Sequence, residues 1–271
     1  MTTLADATVL VTGAARGIGR GLCLALHARG SRVIGVDRDA PGLKALAGEL
    51  GKGFYPFPAD LSDPATPQAL TQQIEQQDFA VDVLINNAGV VHGRSLEELQ
   101  PEEIELTFRI NTLAPIQLTR CLLPGMLARD RGHVVTMASA AGIAATPQLS
   151  DYSASKSAMV GFDEALRLEL RQRGSRVRTT VVCPYYIDTG MFAGVKTRWR
   201  WLLPILKPDT VVRRIIRAVE RDQSRLVLPR FVSLAWPLRL LPVSWFDRLM
   251  DWLGITRSMA DFRGRSGGPG D

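Results

Sequence analysis

Ala7-Thr-Val-Leu-Val-Thr-Gly-Ala-Ala-Arg-Gly-Ile-Gly19 is the stretch that decides the fold. Its first six residues are mostly apolar or β-branched, which favours a buried strand, and a helical pattern follows from Arg20 to Arg29. Gly13, Gly17 and Gly19 let the backbone approach a pyrophosphate closely, and the helix directs the positive end of its dipole at that charge. Strand, glycine turn and helix in this order therefore predict a turn that binds the phosphates of a dinucleotide.

A second predicted strand, Arg32-Val-Ile-Gly-Val-Asp37, ends in a carboxylate eighteen residues after Gly19. An acidic side chain at this place hydrogen-bonds the 2′-hydroxyl of an adenosine ribose, and its charge repels a 2′-phosphate. Asp37 therefore predicts NAD as the cofactor, with NADP the less favoured choice. Arg16 and Arg38 leave the alternative open, because together they could hold the 2′-phosphate of NADPH.

Strands and helices alternate along the rest of the chain. The same patterns predict strands at 54–57, 81–85, 133–137 and 176–182, and helices at 64–77, 102–129 and 152–173. This alternation predicts a single-domain α/β protein with a Rossmann-like, doubly wound parallel sheet and helices on both faces. A ligand is then expected at the carboxyl ends of the strands.

Tyr152 and Lys156 are four residues apart in a predicted helix, so their side chains share one face. A lysine ammonium about 4 Å from a phenol, at an effective dielectric of about 20, favours the phenolate by roughly 4 kcal/mol or three pKa units. The spacing thus predicts a tyrosine pKa near 7, which suits a group that exchanges a proton with an alcohol or carbonyl oxygen.

Three segments of the chain together resemble the short-chain dehydrogenase/reductase family. Thr12-Gly-Ala-Ala-Arg-Gly-Ile-Gly19 resembles the TGxxxGxG motif of that family, Asn86-Asn-Ala-Gly89 its NNAG motif, and Tyr152 with Lys156 its YxxxK motif. The resemblance runs from about Ala7 to Pro229. It implies an oxidoreductase that uses a nicotinamide dinucleotide.

The resemblance also implies a catalytic tetrad, in which Ser139 and Asn111 join the tyrosine and the lysine. Tyr152 would exchange the substrate proton, and Lys156 would lower the pKa of Tyr152 and bind the cofactor ribose. Ser139 would hold the substrate oxygen, and Asn111 would position a water that links Lys156 to solvent.

Further contacts follow from the family motifs, and Thr189 would contact the nicotinamide carboxamide. The implied cofactor-binding residues are Gly13, Arg16, Gly17, Ile18, Gly19, Asp37, Arg38, Asp60, Leu61, Asn87, Ala88, Gly89, Tyr152, Lys156, Pro184, Ile187, Thr189 and Met191. The implied substrate-binding residues are Ser139, Tyr152, Tyr185 and Tyr186. Tyr185 replaces the glycine that the family usually has, so it either forms an apolar wall beside the nicotinamide or packs against a lid.

The segment after Pro184 departs most from a plain member of the family. All five tryptophans of the chain lie in its last 73 residues, and residues 195–230 hold ten basic residues against three acidic ones, which exceeds the net charge of +6. An amphipathic helix is predicted at 210–222. We expect a catalytic domain at 1–230 with a substrate lid at 190–222, an apolar C-terminal extension at 231–263 packing on the same domain, and a disordered tail at 264–271.

Two interpretations of residues 196–253 remain open. They form a lid and a homo-oligomer contact, or they touch a membrane surface peripherally through tryptophan and arginine side chains. The segment resembles the subgroup of retinol dehydrogenases and 17-beta-hydroxysteroid dehydrogenases, which implies a small lipophilic alcohol or carbonyl substrate. A homodimer or homotetramer is expected.

Composition narrows the remaining choices. The three cysteines lack CxxC spacing and the three histidines form no ligand pattern, so free thiols in a reducing cytoplasm and no metal site are expected. The first strand begins within seven residues of Met1, which predicts no signal peptide and a cytoplasmic protein. No recognition motif accompanies the basic segment, so no nucleic acid is expected. A non-catalytic dinucleotide sensor on the same fold remains an alternative.

Overall fold

Seven parallel strands form the central sheet of the computed structural model, which describes residues 1–264. The strands are Thr8–Thr12 (β1), Arg32–Asp37 (β2), Phe54–Pro58 (β3), Val83–Asn86 (β4), His133–Met137 (β5), Arg178–Pro184 (β6) and Arg225–Leu228 (β7). Their order across the sheet is β3-β2-β1-β4-β5-β6-β7. The order reverses between β1 and β4, and a crevice for a ligand forms at such a point.

Helices connect the strands and cover the sheet. They are Gly17–His27 (α1), Ala40–Leu50 (α2), Thr66–Gln76 (α3), Pro101–Phe108 (α4), Ala114–Ala128 (α5), Ser150–Gln172 (α6), Pro208–Glu220 (α7), Ala235–Leu238 (α8) and Val243–Leu253 (α9). Short 3₁₀ turns occupy Ala140–Gly142 and Arg230–Leu234.

The core lies in two apolar layers, one on each face of the sheet. Val9 and Val11 of β1 are fully buried on the side of α1, α2 and α7, whereas Leu10 is fully buried on the side of α3, α5 and α6. Alternate residues of a strand point to opposite faces, so a strand covered on both sides is apolar throughout. This arrangement confirms the predicted doubly wound parallel sheet with helices on both faces.

The helix predicted at 102–129 is interrupted. A π-helical turn, Arg109–Leu113, separates α4 from α5, and the backbone N–H of Ala114 donates to the carbonyl oxygen of Arg109, five residues earlier. Pro115 follows immediately and has no N–H with which to continue the ordinary four-residue pattern. The turn carries Asn111, so the interruption falls at a residue that the sequence predicts to be functional.

The amphipathic helix predicted at 210–222 forms as α7, with its apolar residues packed against α1. A Cβ added to Gly21 of α1 would come within 2.9 Å of the Val212 side chain, so the two helices touch closely. The predicted lid at 190–222 therefore includes a core helix, and only residues 190–207 remain candidates for a lid.

Other boundaries differ from the predictions by a few residues. The strands predicted at 81–85 and 176–182 each begin two residues later, and the sequence analysis predicted neither α2 nor β7. Within residues 1–264, no helix is long and apolar enough to cross a membrane. Residues 265–271, nearly all of the predicted disordered tail, lie outside the described residues.

Candidate active site

One cleft runs along the carboxyl ends of β1, β2, β4, β5 and β6. Its volume, including the open mouth, is about 1860 Å³. It is lined by every predicted site residue except Gly19 and Asn111. Those two lie immediately behind its wall, since Gly19 packs on Gly13 and Asn111 bonds to Val90. Residues from 13 to 191 in the sequence thus meet at one site.

The glycine turn leaves no room for side chains. Gly13 has φ +68°, and a Cβ there would lie 2.9 Å from the amide nitrogen of Asn87 and 3.0 Å from Cα of Ala88. A Cβ on Gly19 would overlap the carbonyl oxygen of Gly13. This packing brings the backbone at the start of α1 to the surface of the cleft, which is the arrangement that holds a pyrophosphate.

The NNAG segment is bonded to the end of β1. The Thr12 hydroxyl accepts hydrogen bonds from the backbone N–H groups of Asn87 (2.9 Å) and Ala88 (3.0 Å), and the Asn87 amide donates to the carbonyl oxygen of Thr12 (2.8 Å). Two motifs separated by more than seventy residues therefore form one rigid wall of the cleft.

Asp37, at the end of β2, is half-buried with both carboxylate oxygens engaged. One oxygen accepts from the backbone N–H of Ala15 (3.0 Å) and the other from that of Asp39 (3.1 Å). The exposed side chains of Arg16 and Arg38 line the same part of the cleft. The acidic group and both basic groups that bear on the choice between NAD and NADP therefore lie in the same part of the cleft.

Tyr152 and Lys156 lie side by side on the buried face of α6. The Lys156 Nζ is 5.7 Å from the centre of the Tyr152 ring and donates to the carbonyl oxygen of Met137 (2.8 Å). Burial raises the pKa of Tyr152 to about 12, against the effect of a hydrogen bond with Ser139, and burial lowers the pKa of Lys156 to about 8.

The tyrosine pKa near 7 expected from the spacing is therefore wrong for the protein alone. Loss of hydration is the largest cause of both shifts, since burial disfavours the charged form of each group. Helical spacing brings Lys156 near Tyr152, but it carries no information about burial.

Ser139 follows β5 and begins the 3₁₀ turn that leads toward α6. Its Oγ accepts a hydrogen bond from the backbone N–H of Ala141 (3.1 Å), and the side chain also hydrogen-bonds Tyr152. The serine is thus fixed beside the tyrosine hydroxyl, at the place where a substrate oxygen would meet both.

Asn111 holds the backbone that follows the NNAG segment. Its Oδ1 accepts from the N–H of Val90 (2.8 Å), and its Nδ2 donates to the carbonyl oxygen of Val90 (3.0 Å) and to the Ser155 hydroxyl (3.2 Å). A Cβ added to Gly89 would lie 3.2 Å from Asn111 Oδ1 and 3.5 Å from Lys156 Nζ, so the asparagine lies next to the lysine.

A buried polar cluster beside Tyr152 was not foreseen. His92 Nδ1 lies 3.1 Å from the Thr107 hydroxyl and 3.6 Å from Asp151 Oδ2, and that hydroxyl donates to the same carboxylate oxygen (2.7 Å). Although burial opposes it, hydrogen bonds from His92 and Thr107 hold the pKa of Asp151 below its ordinary value. The three residues lie far apart in the sequence and form no motif, so only the fold reveals them.

An aromatic cluster lines the cleft beside Tyr152. Ring centres lie 4.6 Å apart for Tyr185 and Tyr186, 5.1 Å for Tyr186 and Phe192, and 5.8 Å for Tyr152 and Phe192. The Tyr186 hydroxyl also hydrogen-bonds Ser258 (2.9 Å). Tyr185 and Tyr186 both line the cleft and also pack on their neighbours.

The cleft also extends along residues after 230, in the segment predicted as an apolar C-terminal extension, although no residue there was predicted to be a site residue. Its lining there is apolar: Phe231, Val232, Leu234, Ala235, Leu238, Phe246, Leu249, Met250, Leu253 and Ile255. The cleft thus joins a polar reacting end to a long apolar end. Among residues 1–264, no group of three or more His, Cys, Asp or Glu side chains is placed to hold a metal ion.

Comparisons with known proteins agree with this geometry. Residues 7–199 match the family model described as short chain dehydrogenase. The chain is 35% identical to epidermal retinol dehydrogenase 2 of Mus musculus over 268 residues, covering 97% of this chain and 87% of that protein. It is 34% identical to estradiol 17-beta-dehydrogenase 11 of Rattus norvegicus over 252 residues, covering 91% of this chain and 84% of that protein.

A solved structure shares the fold and holds a dinucleotide. The short-chain dehydrogenase of Sphingobium yanoikuyae in complex with NADPH superposes with a TM-score of 0.76 and 27% sequence identity. The match covers 90% of this chain and 95% of that one.

Proposed function

The chain belongs to the short-chain dehydrogenase family and is a nicotinamide-dinucleotide-dependent oxidoreductase acting on CH–OH groups; we propose that it interconverts lipophilic alcohols and the corresponding carbonyl compounds. The observation that carries the proposal is the apolar part of the cleft, where ten apolar residues between Phe231 and Ile255 line the same space as Tyr152. Retinol and estradiol dehydrogenases among the relatives support a substrate of this class.

In the proposed mechanism, the reacting oxygen of the substrate lies between Ser139 and Tyr152. Tyr152 takes the hydroxyl proton as the alcohol is oxidised and returns a proton when the carbonyl is reduced. Ser139 donates a hydrogen bond to the oxygen as negative charge develops on it. The bound dinucleotide accepts or supplies the hydride, and the glycine turn has the space and backbone donors to hold its pyrophosphate.

Lys156 and Asn111 have separate tasks in this proposal. Lys156 lines the cleft beside Tyr152, where it would bind the ribose of the dinucleotide and its charge would favour the tyrosinate. Asn111 fixes the backbone at Val90 through two hydrogen bonds, and its Oδ1 lies on the lysine side of Gly89. We assign it to a proton path that runs from Lys156 through a water to solvent.

We propose NAD as the preferred dinucleotide. Asp37 already accepts two backbone hydrogen bonds, and its remaining lone pairs suit the two hydroxyls of an adenosine ribose. The alternative, an NADPH-dependent carbonyl reductase, draws on the exposed Arg16 and Arg38 and on the NADPH bound by the Sphingobium protein. Competitive titration of the two dinucleotides separates these alternatives.

A non-catalytic dinucleotide sensor would need no positioned acid or base. Ser139, Tyr152 and Lys156 all line the cleft, which favours catalysis. We also propose a homodimer or homotetramer, since Leu113 and Leu168 are each 49% exposed at a distance from the cleft lining. A reducing, cytoplasmic location is proposed on the free thiols, of which Cys23 and Cys183 are buried.

The decisive experiment measures the oxidation of a panel of alcohols through the change in absorbance of the dinucleotide. A retinoid alcohol, a 17-beta-hydroxysteroid and a medium-chain alcohol are offered with NAD, and a short hydrophilic alcohol serves as the control. We expect kcat/KM to be higher for the lipophilic alcohols by at least tenfold, because each buried CH₂ contributes about 0.8 kcal/mol. Equal rates for the hydrophilic control would refute a lipophilic substrate, and no turnover with any alcohol or carbonyl would favour the sensor.

A further inference from the structure

Large apolar side chains are exposed mainly in one part of the chain. Of the twelve that are exposed within residues 1–264, eight lie between Trp201 and Trp252. Trp201 is 78% exposed, Trp245 63% and Trp252 56%. Extended exposed apolar surface on a folded domain marks a site of interaction with a protein or a membrane.

Ring contacts join two parts of this segment. The Trp199 ring lies 6.4 Å from the Trp201 ring and 5.5 Å from the Trp252 ring, which joins the 200 region to α9. Trp245 and Trp252 are seven residues apart on α9 and therefore share a face. We define the apolar patch by its exposed members, Trp201, Leu240, Leu241, Trp245 and Trp252.

The patch adjoins the apolar end of the cleft. Phe246, Met250 and Leu253 lie on a neighbouring face of α9 and line the cleft, whereas Trp245 and Trp252 do not. Leu234, which also lines the cleft, is itself 48% exposed. The exposed apolar side chains and the apolar lining of the cleft therefore share α9 and the segment before it.

Basic side chains accompany the patch. They are exposed and lie between or beside its members in sequence: Arg198, Arg200, Arg239, Arg248 and Arg257. The Arg198 guanidinium lies 5.3 Å from the centre of the Trp199 ring and donates to the carbonyl oxygen of Trp252. Exposed acidic residues on α9, Asp247 and Asp251, offset only part of this charge. Tryptophan and arginine together suit a lipid headgroup region, where the ring enters the interface and the cation meets phosphate.

We propose that the apolar patch docks on an anionic lipid surface and that lipophilic substrate passes from this surface into the cleft. The second half rests on the proposed function, whereas docking does not. A second copy of the chain is a poorer occupant, because a two-fold contact sets the same patch against itself and brings its arginines together. Anionic lipid has the opposite charge and needs no partner pocket.

Co-sedimentation with lipid vesicles tests the docking. Vesicles of phosphatidylcholine with one-third phosphatidylserine are compared with pure phosphatidylcholine at about 0.1 M and about 1 M salt, where the Debye length falls from about 10 Å to about 3 Å. We expect binding to the anionic vesicles that weakens at high salt. Trp245→Glu and Trp252→Glu should each reduce the binding constant at least tenfold, since each removes apolar area and adds a repelled charge.

Leu96→Glu is the matched control. Leu96 is 64% exposed, does not line the cleft and lies in the loop between β4 and α4. The substitution therefore changes apolar area and charge away from the patch. This variant should bind vesicles as the wild type does. Because Trp245 and Trp252 do not line the cleft either, all three variants should oxidise a short alcohol at the wild-type rate.

Three outcomes would overturn the proposal. The first is that the wild type does not bind vesicles at the lower salt, and the second is that Trp245→Glu binds them as well as the wild type does. The third is that the wild type does not bind vesicles but forms a dimer, and that the Trp245→Glu change dissociates this dimer. The last would assign the patch to a second copy. Sedimentation requires no turnover, so failure of the proposed substrate class would leave the docking result intact.

Discussion

Asp37→Asn is expected to move dinucleotide preference away from NAD by about 50- to 100-fold. The neutral amide retains an acceptor for a ribose hydroxyl, but a hydrogen bond to a neutral group is weaker than one to a carboxylate by about 1 kcal/mol. The carboxylate also repels a 2′-phosphate by about 3 kcal/mol per unit charge at about 5 Å and an effective dielectric of about 20. Asp37 is half-exposed, so salt reduces that repulsion to about half. Together these effects amount to about 2.5 kcal/mol, or close to two factors of ten.

The ratio of the two dissociation constants isolates this effect. Asp37 also accepts from the backbone N–H groups of Ala15 and Asp39, and part of that bonding is lost in the variant. Loosening of the glycine turn would weaken NAD and NADP alike and cancel in the ratio. Fluorescence titration of both dinucleotides supplies the constants, and thermal unfolding shows whether the turn has loosened.

Asp63→Asn is the matched control, because Asp63 is an exposed carboxylate outside the cleft that accepts from the backbone N–H of Ala65. The control removes the same charge and should leave the ratio unchanged. A wild type that already prefers NADP, or a ratio that moves less than fivefold in Asp37→Asn, would refute the role of this carboxylate.

Three further predictions follow from particular side chains. Tyr152→Phe should lower kcat by about 10² or more and leave dinucleotide affinity unchanged, because only the exchanged proton is lost; a kcat within threefold of the wild type would place the proton elsewhere. Phe246→Ser should raise KM for a lipophilic alcohol by about tenfold but not for a short alcohol, because a ring that lines the apolar end of the cleft is removed; equal changes in both would argue against this lining. His133 is fully buried, and burial lowers its pKa from 6.5 to about 4, so the unfolded chain takes up the proton first and stability falls as the pH drops from about 6.5 to about 4. Denaturant unfolding should show a smaller loss over that range in His133→Gln, and an identical loss would mean that other groups account for it.

The reacting end of the site could be predicted because its residues lie in short local patterns. The glycine turn follows its strand directly, and Tyr152 and Lys156 are one helical turn apart. Each pattern by itself indicates the local geometry of its residues, and the parallel sheet brings the carboxyl ends of the strands together. For this reason the predicted residues from Gly13 to Met191 line one cleft, except Gly19 and Asn111, which lie behind its wall.

The apolar end could not be predicted in the same way. Phe246 and Leu253 show only that α9 has an apolar face, and nothing in their spacing says which surface that face covers. His92 and Asp151 meet through a loop after β4 and the first turn of α6, with fifty-eight residues between them in the sequence. Contacts of this kind depend on tertiary packing, so no local period records them.

Burial explains why the pKa of Tyr152 differs from the value near 7 that the helical spacing predicts. It also suggests how a bound cofactor would change that pKa. In the protein alone, the same apolar surroundings raise the pKa of Tyr152 to about 12 and lower that of Lys156 to about 8, because each charged form loses its hydration. The site therefore disfavours the tyrosinate until further positive charge is present. An oxidised nicotinamide ring carries such a charge, and in the proposed function the dinucleotide would bind in the cleft that buries Tyr152. Low hydration makes every charge in the cleft act more strongly, so we expect Tyr152 to act as a base chiefly when the hydride acceptor is bound. In this proposal, the burial that opposes ionisation of Tyr152 would couple proton removal to the presence of the cofactor.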